Sequence, residues 1–300
     1  MTSAPSIRPG SVKAWVLACR PATLTAAVSP VLVGTACAHA MHSFRLGPAL
    51  AALVGAMLLQ VGSNLANDVF DFEKGADTEE RLGPMRAAAA GLLTPRALRN
   101  AMVVVFALAL VVGSYLTAVA GPAIVVIGLA SIASAILYTG GPYPLGYHGL
   151  GDLFVLLFFG FVAVNGTVFV QTGTLTQLGF WAAAPVGALA TAILVVNNVR
   201  DAETDVKAGK RTIPVRFGRA VGLYEYAALM TLAYAVPLTL VLVGRMSPWL
   251  LLPLGSLPIG VRLSRRVLRD SGRALNASLV GTARLLFVYA ALFSAGIALG

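Results

Sequence analysis

The chain reads as an all-α, polytopic membrane protein, a single bundle of about nine transmembrane helices. Three observations carry that reading. Its 300 residues are 58% apolar and only 11% charged, whereas a soluble domain carries about a quarter charged residues. Mean hydropathy is +0.83. Apolar windows of roughly 20 residues, the length that crosses a bilayer, recur along the whole chain. An ordinary soluble globule and a disordered chain are both excluded. The 22 Lys and Arg against 12 Asp and Glu give +10, a surplus that in a soluble protein would suggest nucleic acid. In a polytopic chain basic residues instead orient the loops, so the expected partner is the lipid bilayer and no nucleic acid.

Taken in order, the first stretch could pass for a signal peptide, with Arg8 and Lys13 ahead of it and Ala38-His39-Ala40 behind. It is long enough to span, and it is read as the first helix, 22–42. The next windows are 47–67, 98–119, 121–138, 151–172, 176–197, 221–243, 247–263 and 278–299. Pro30, Pro185, Pro237, Pro253 and Pro258 fall inside them, as membrane helices tolerate where neighbours satisfy the freed backbone groups. Cys19 and Cys37 lie on one helix, roughly 27 Å apart at about 1.5 Å per residue, beyond disulfide reach. The polar connections after 47–67 and 176–197, about 25 and 20 residues, exceed the usual short link, and such loops tend to be functional. No soluble domain remains, so residues 1–300 form one transmembrane domain. The basic residues fall before the first window and around the connections after the second, sixth and eighth, all but Arg45 and Arg245. If nine spans alternate, the N-terminus is cytoplasmic and the C-terminus outside, as in a multi-pass plasma-membrane protein whose site faces the cytoplasm.

Nine of the twelve acids cluster at two places. Asp68, Asp71, Glu73, Asp77, Glu79 and Glu80 follow the second window; Asp201, Glu203 and Asp205 follow the sixth. On a helix Asn64, Asp68 and Asp71 share one face, and Asn198, Asp201 and Asp205 repeat the device. Acids at helix C-termini oppose the macrodipole, and a carboxylate in the membrane interior is penalised by about 2.5–3.5 kcal/mol on insertion scales. One such loop could be a solvated cluster neutralised by the interleaved Lys and Arg. Two matching stripes favour a pair of hard divalent cations, because Mg²⁺ takes carboxylate oxygens and completes its shell with substrate phosphate. The offset of four spans between Asp68 and Asp201 further suggests two parallel, related units.

These motifs resemble the UbiA superfamily of intramembrane aromatic prenyltransferases. The first aspartate motif is matched by Asn67-Asp68-Val69-Phe70-Asp71 continuing to Asp77, the second by Asp201-Ala202-Glu203-Thr204-Asp205. Across the family the spacing after Asp71 is often shorter than the run to Asp77 here. Within the superfamily the chain is most similar to the branch that prenylates 1,4-dihydroxy-2-naphthoate in menaquinone biosynthesis. The narrower match rests on Arg20-Pro21-Ala22-Thr23-Leu24 leading into Pro30 and Gly34, on Gly83-Pro84-Met85-Arg86, on Tyr138 through Pro144, on Gly149-Leu150-Gly151-Asp152, and on Gly209-Lys210-Arg211-Thr212. Other branches carry basic residues after the fourth span; none stands between Thr139 and Gly151, which argues against a benzoate-type acceptor.

The resemblance implies Mg²⁺-dependent transfer of a polyprenyl chain from its diphosphate to the aromatic acceptor, with decarboxylation where the attacked carbon bears a carboxylate. It implies Asn64, Asp68, Asp71, Asp77, Asp201 and Asp205 as metal ligands. Lys74, Arg86, Lys207, Lys210 and Arg211 become candidates for the leaving diphosphate, with topology determination as the plainer role for each. Asn64, Asn67, Asn198, Arg20 and Tyr138 are expected to face substrate, although Arg20 could equally snorkel. Asp152 could orient or deprotonate an aromatic hydroxyl, or simply cap its helix. Tyr143 and Tyr147 suit the bilayer interface. Alternatives are a UbiA-type enzyme with another acceptor, such as 4-hydroxybenzoate or homogentisate, and a cation-coupled transporter, which would place ionisable groups near mid-membrane.

Overall fold

The computed structural model describes residues 7–76 and 81–300. Asp77, assigned to the metal set on sequence, lies outside the described residues. Ser11 caps α1 (Val12–Cys19), which ends where Arg20 adopts a left-handed φ of 50°. A 3-10 turn (Pro21–Thr23) then opens α2 (Leu24–Ala40). α3 (Leu46–Glu73), α4 (Pro95–Ala120) and α5 (Ala123–Leu137) follow. A 3-10 segment (Leu145–His148) leads to α6 (Gly151–Val155), which passes through a π-helical stretch (Leu156–Val162) into α7 (Ala163–Thr172). α8 (Gln177–Lys207), the short α9 (Ile213–Phe217) and α10 (Arg219–Leu242) come next, then a 3-10 stretch (Pro248–Ser256), α11 (Leu257–Arg269) and α12 (Leu275–Leu299). Among the described residues no strand forms.

Among the described residues, seven stretches are long and apolar enough to cross a membrane: Val12–Ala40, α3, α4, Gly151–Thr172, α8, α10 and Gly272–Leu299. The other two windows read from sequence hold shorter elements. α5 has 15 residues, about 22 Å of helix at 1.5 Å per residue. The window 247–263 divides between the Pro248–Ser256 3-10 stretch and α11, because Pro253 and Pro258 cannot donate backbone hydrogen bonds within a regular helix. Two helices outrun their windows. α3 continues to Glu73 and α8 to Lys207, so both acidic stripes stand on helix ends rather than in loops.

α8 is the axis of the bundle. Its inner surface is built from Ala182, Ala183, Gly187, Ala188, Ala190 and Ala192, all small, and it packs against α10, α12, α2 and the π-helical stretch. In lipid the gain from helix association comes from close van der Waals packing, which small residues permit. Gly160 in the π-helical stretch shows the requirement: a Cβ there would stand 2.8 Å from the Gly187 Cα, so neither position admits a side chain without separating the helices. A second apolar cluster joins α1, α3, α4 and residues 87–93. The pairing of α3 with α4 parallels that of α8 with α10, and the two acid-bearing tips end on the same side of the molecule.

Candidate functional site

Past Lys207, α8 turns through Gly209, whose φ of 72° is the left-handed conformation that glycine adopts freely at a helix C-terminus. The Lys210 amide donates to the Asp205 carbonyl at 2.9 Å, folding the chain back over the helix tip. The Lys210 Nζ then stands 3.5 Å from Asp205 Oδ1 and 3.9 Å from Asp71 Oδ1. One ammonium therefore joins the end of α3 to the end of α8, and the two stripes read from sequence face a shared space.

On the α3 side, Asp71 is 2% exposed. It accepts from Arg86 Nη2 at 3.2 Å and from the Tyr147 hydroxyl at 2.9 Å. Asp68, one turn away, accepts from the backbone N–H groups of Ala87 and Ala88 at 3.1 and 3.2 Å, so its carboxylate pins the loop that delivers Arg86. Asn67 accepts from the Thr139 hydroxyl at 2.9 Å. Asn64 lies a turn deeper, its amide donated to the Cys19 carbonyl and the Thr23 hydroxyl. Its Oδ1 accepts from Gln60 Nε2, and Arg20 Nη2 donates to its carbonyl. Asn64 and Arg20 thus fasten α3 to the corner between α1 and α2. Lys74 Nζ donates to the Thr139 carbonyl at 2.7 Å. Both Lys74 and Lys210 lie over the Tyr147 ring, at 4.9 and 5.0 Å from its centroid, within cation–π range. Burial holds the Lys74 ammonium below its ordinary range; Asp71 opposes the shift and Lys210 adds to it.

On the α8 side, Asp201 is held by its own neighbour. Arg200 Nε and Nη2 donate to its two oxygens at 2.7 and 2.6 Å, the bidentate geometry that makes such pairs strong. Two further guanidinium hydrogens go to Asn197 Oδ1 and Asn276 Oδ1, and Asn276 donates to the Leu82 carbonyl. Asp201 is thereby tied to α12 and to the loop after α3. Asn198 donates to Asp152 Oδ1 at 3.3 Å. The Arg211 amide donates to the Tyr147 carbonyl at 2.7 Å, joining the loop after α8 to that after α5, while the side chains of Arg211 and Lys207 are exposed.

Tyr138 is the junction between these polar groups and the apolar interior. It lies within electrostatic reach of Asp152, Asp71 and Asp205. A Cβ on Gly151 would come within 2.8 Å of the Tyr138 hydroxyl. The same tyrosine lines a cavity of about 520 Å³ bounded by α2, α3, α4, α5 and the α6–α7 span, with Phe154, Phe158 and Phe159 on one wall and Leu116 and Ile124 at its far end. A polar, charged mouth therefore leads into an apolar chamber.

Four carboxylates (Asp68, Asp71, Asp201, Asp205) meet four cations (Lys74, Arg86, Arg200, Lys210) around this mouth. Among the described residues no three acids, histidines or cysteines gather closely enough to hold a metal ion unaided. The donor set still fits Mg²⁺, which is commonly bound through one or two carboxylates and completes its octahedron with water and substrate phosphate. Asp71 and Asp205 already share a cation, Lys210, between hard oxygen ligands.

Two residues of the site were read differently from sequence. Tyr147 was assigned to the bilayer interface but is buried against Asp71; no local periodicity marks it, since the contact spans 76 residues. Arg200 was counted only among the orienting charges, and its place beside Asp201 was the available signal.

The UbiA prenyltransferase family model matches residues 27–298. The 1,4-dihydroxy-2-naphthoate octaprenyltransferase of Mycobacterium tuberculosis is 37% identical, over 95% of this chain and 97% of that protein. The protein of the same name from Escherichia coli is 39% identical, over 86% of each. Among solved structures, a UbiA homolog from Archaeoglobus fulgidus bound to DMAPP and Mg²⁺ superposes with a TM-score of 0.64 at 17% identity, over 93% of this chain and 99% of that one. The apo UbiA homolog from Aeropyrum pernix K1 superposes at 0.67 with 18% identity, over 90% and 97%. At such identities the structural likeness establishes the fold.

Proposed function

The chain belongs to the UbiA prenyltransferase family, and from that premise we propose that it moves a polyprenyl chain from polyprenyl diphosphate to 1,4-dihydroxy-2-naphthoate, releasing diphosphate and the ring carboxylate as CO2, to give the quinol form of demethylmenaquinone. The observation that carries the reading is Lys210, whose ammonium joins Asp71 to Asp205 at the mouth of an apolar cavity. The names of the relatives support the acceptor, and the Mg²⁺ and DMAPP of the A. fulgidus homolog support the donor and metal.

Asp71 and Asp205, with Asp68 and Asp201 behind them, would hold Mg²⁺. When bound, the metal supplies Lewis-acid stabilisation of charge on the departing diphosphate. Lys210 then leaves the carboxylates and, with Arg86 and Lys74, takes phosphate oxygens. Preorganised cations of this kind act where charge develops. The allylic carbon becomes cationic as its bond to the diphosphate oxygen breaks, and the electron-rich ring attacks it. Tyr138 and Asp152, between the charged mouth and the cavity, orient the acceptor. The isoprenoid tail needs only apolar surface and lies along the phenylalanine wall. The basic residues at the mouth favour a cytoplasmic site in the plasma membrane, with the N-terminus on the same side.

Membranes containing the chain, offered polyprenyl diphosphate with either 1,4-dihydroxy-2-naphthoate or 4-hydroxybenzoate, with and without Mg²⁺, test this directly. The expected result is a prenylated, decarboxylated naphthoquinol formed only with Mg²⁺. Preference for the benzoate overturns the acceptor, and full turnover in EDTA overturns the metal.

A further inference from the structure

A second groove lies on α11, lined by no residue of the acidic mouth, and the proposed reaction makes no use of it. One face of α11 is packed. Gly260, Leu263 and Val267 are buried, with Gly260 close to the Tyr234 hydroxyl of α10 and Leu263 against Gly281 of α12. The other face carries Arg262, Arg265, Arg266 and Arg269, which line a groove of about 690 Å³ together with Leu257 and Val261. Spacings of three, four and seven place the guanidiniums along one stripe. None of the four guanidinium groups makes a hydrogen bond or ion pair with another described residue. The acid at the groove's end, Asp270, forms no ion pair among the described residues either, and its carbonyl accepts from Arg219 at 2.6 Å. Like charges at helical spacing repel, so the stripe destabilises the helix unless an anion meets it.

The helix is also graded along its axis. Leu257, Ile259 and Val261 expose apolar surface in the first turns, and the arginines begin only at Arg262. From Leu257 to Arg269 the helix rises roughly 18 Å at 1.5 Å per residue. An apolar wall leading into a cationic stripe matches a molecule that is acyl at one end and phosphate at the other. A small soluble anion would leave the wall unused.

We propose that the α11 groove binds an anionic phospholipid, with its phosphates on Arg262, Arg265, Arg266 and Arg269 and its acyl chains along Leu257 and Val261. Four cations suit a headgroup with two phosphates, as in cardiolipin. The site depends on the chain lying in a bilayer and is independent of the reaction assigned to the acidic mouth.

Thermal unfolding of the full chain in detergent micelles, titrated with tetraoleoyl cardiolipin, tests the site. Cardiolipin should raise the wild-type Tm while dioleoyl phosphatidylcholine does not. Each arginine beside an anionic headgroup contributes about fivefold in affinity, so Arg265→Gln/Arg269→Gln should bind about 25-fold more weakly. Arg245→Gln, elsewhere on the surface, should bind as wild type. An unchanged cardiolipin response in the double variant overturns the site. So does an equal response to phosphatidylcholine. A shift reproduced by inorganic diphosphate alone, or abolished by competing geranylgeranyl diphosphate, assigns the groove to a soluble anion or to substrate and overturns the phospholipid. Should the glutamine variant not fold, Arg265→Lys/Arg269→Lys, which retains both charges, should keep most of the response, and its complete loss overturns the charge-based assignment.

Discussion

The two acid-bearing helix tips carry nearly the same spacing of residues and are held in different ways. At the end of α3, Asp68 and Asp71 are satisfied from a distance, by the Ala87 and Ala88 amides, Arg86 and Tyr147. At the end of α8, Asp201 is clamped by the residue before it, and Arg200 in turn by Asn197 and Asn276. Similar stripes therefore divide the work. Asp71 and Asp205 face each other across the ammonium of Lys210, while Asp201 and Arg200 form a buried strut. A buried pair of this kind is weak evidence for net stability, but removing one partner leaves an uncompensated charge.

The comparison is broken most decisively by substituting the facing acids. Asp71→Asn and Asp205→Asn should each lower turnover by about 10²–10³-fold; near-normal turnover in either removes it from the diphosphate end. Arg200→Ala should act on the other side of the contrast. It strands a buried carboxylate at a cost of about 3–5 kcal/mol, read as a Tm lower by roughly 10 °C, and Arg200→Lys should recover part of the loss. A wild-type melting curve for Arg200→Ala would show that the clamp is not structural. Lys210→Ala should raise KM for the polyprenyl diphosphate about tenfold, equivalent to about 1.4 kcal/mol, with a smaller change in kcat. Tyr147→Phe removes one hydrogen bond to Asp71 and should cost about 1 kcal/mol, or roughly fivefold in KM.

The smallest effect concerns pH. Because burial lowers the pKa of Lys74, its charge is lost at lower pH than that of an ordinary lysine, and diphosphate binding should weaken correspondingly early on the alkaline side. Lys74→Arg, which stays charged, should move that limb upward; an unmoved profile would take Lys74 out of the binding set.

The amino-acid sequence determined the membrane bundle, seven of its nine helix windows and the two acidic stripes, because apolar composition and helical spacing are local properties. It marked Asp68, Asp71, Asp201 and Asp205, and Lys210 among the candidates for the leaving group. It could not show that Asn64 is spent on the α1–α2 corner, that Tyr147 is buried on Asp71, or that Arg200 is a clamp rather than an orienting charge. Nor could it show that proline turns the window 247–263 into a 3-10 stretch followed by a basic helix. Those assignments depend on contacts between residues far apart in the chain, and a carboxylate's partner in a low-dielectric interior is chosen by whichever donor the packed helices bring within hydrogen-bonding reach.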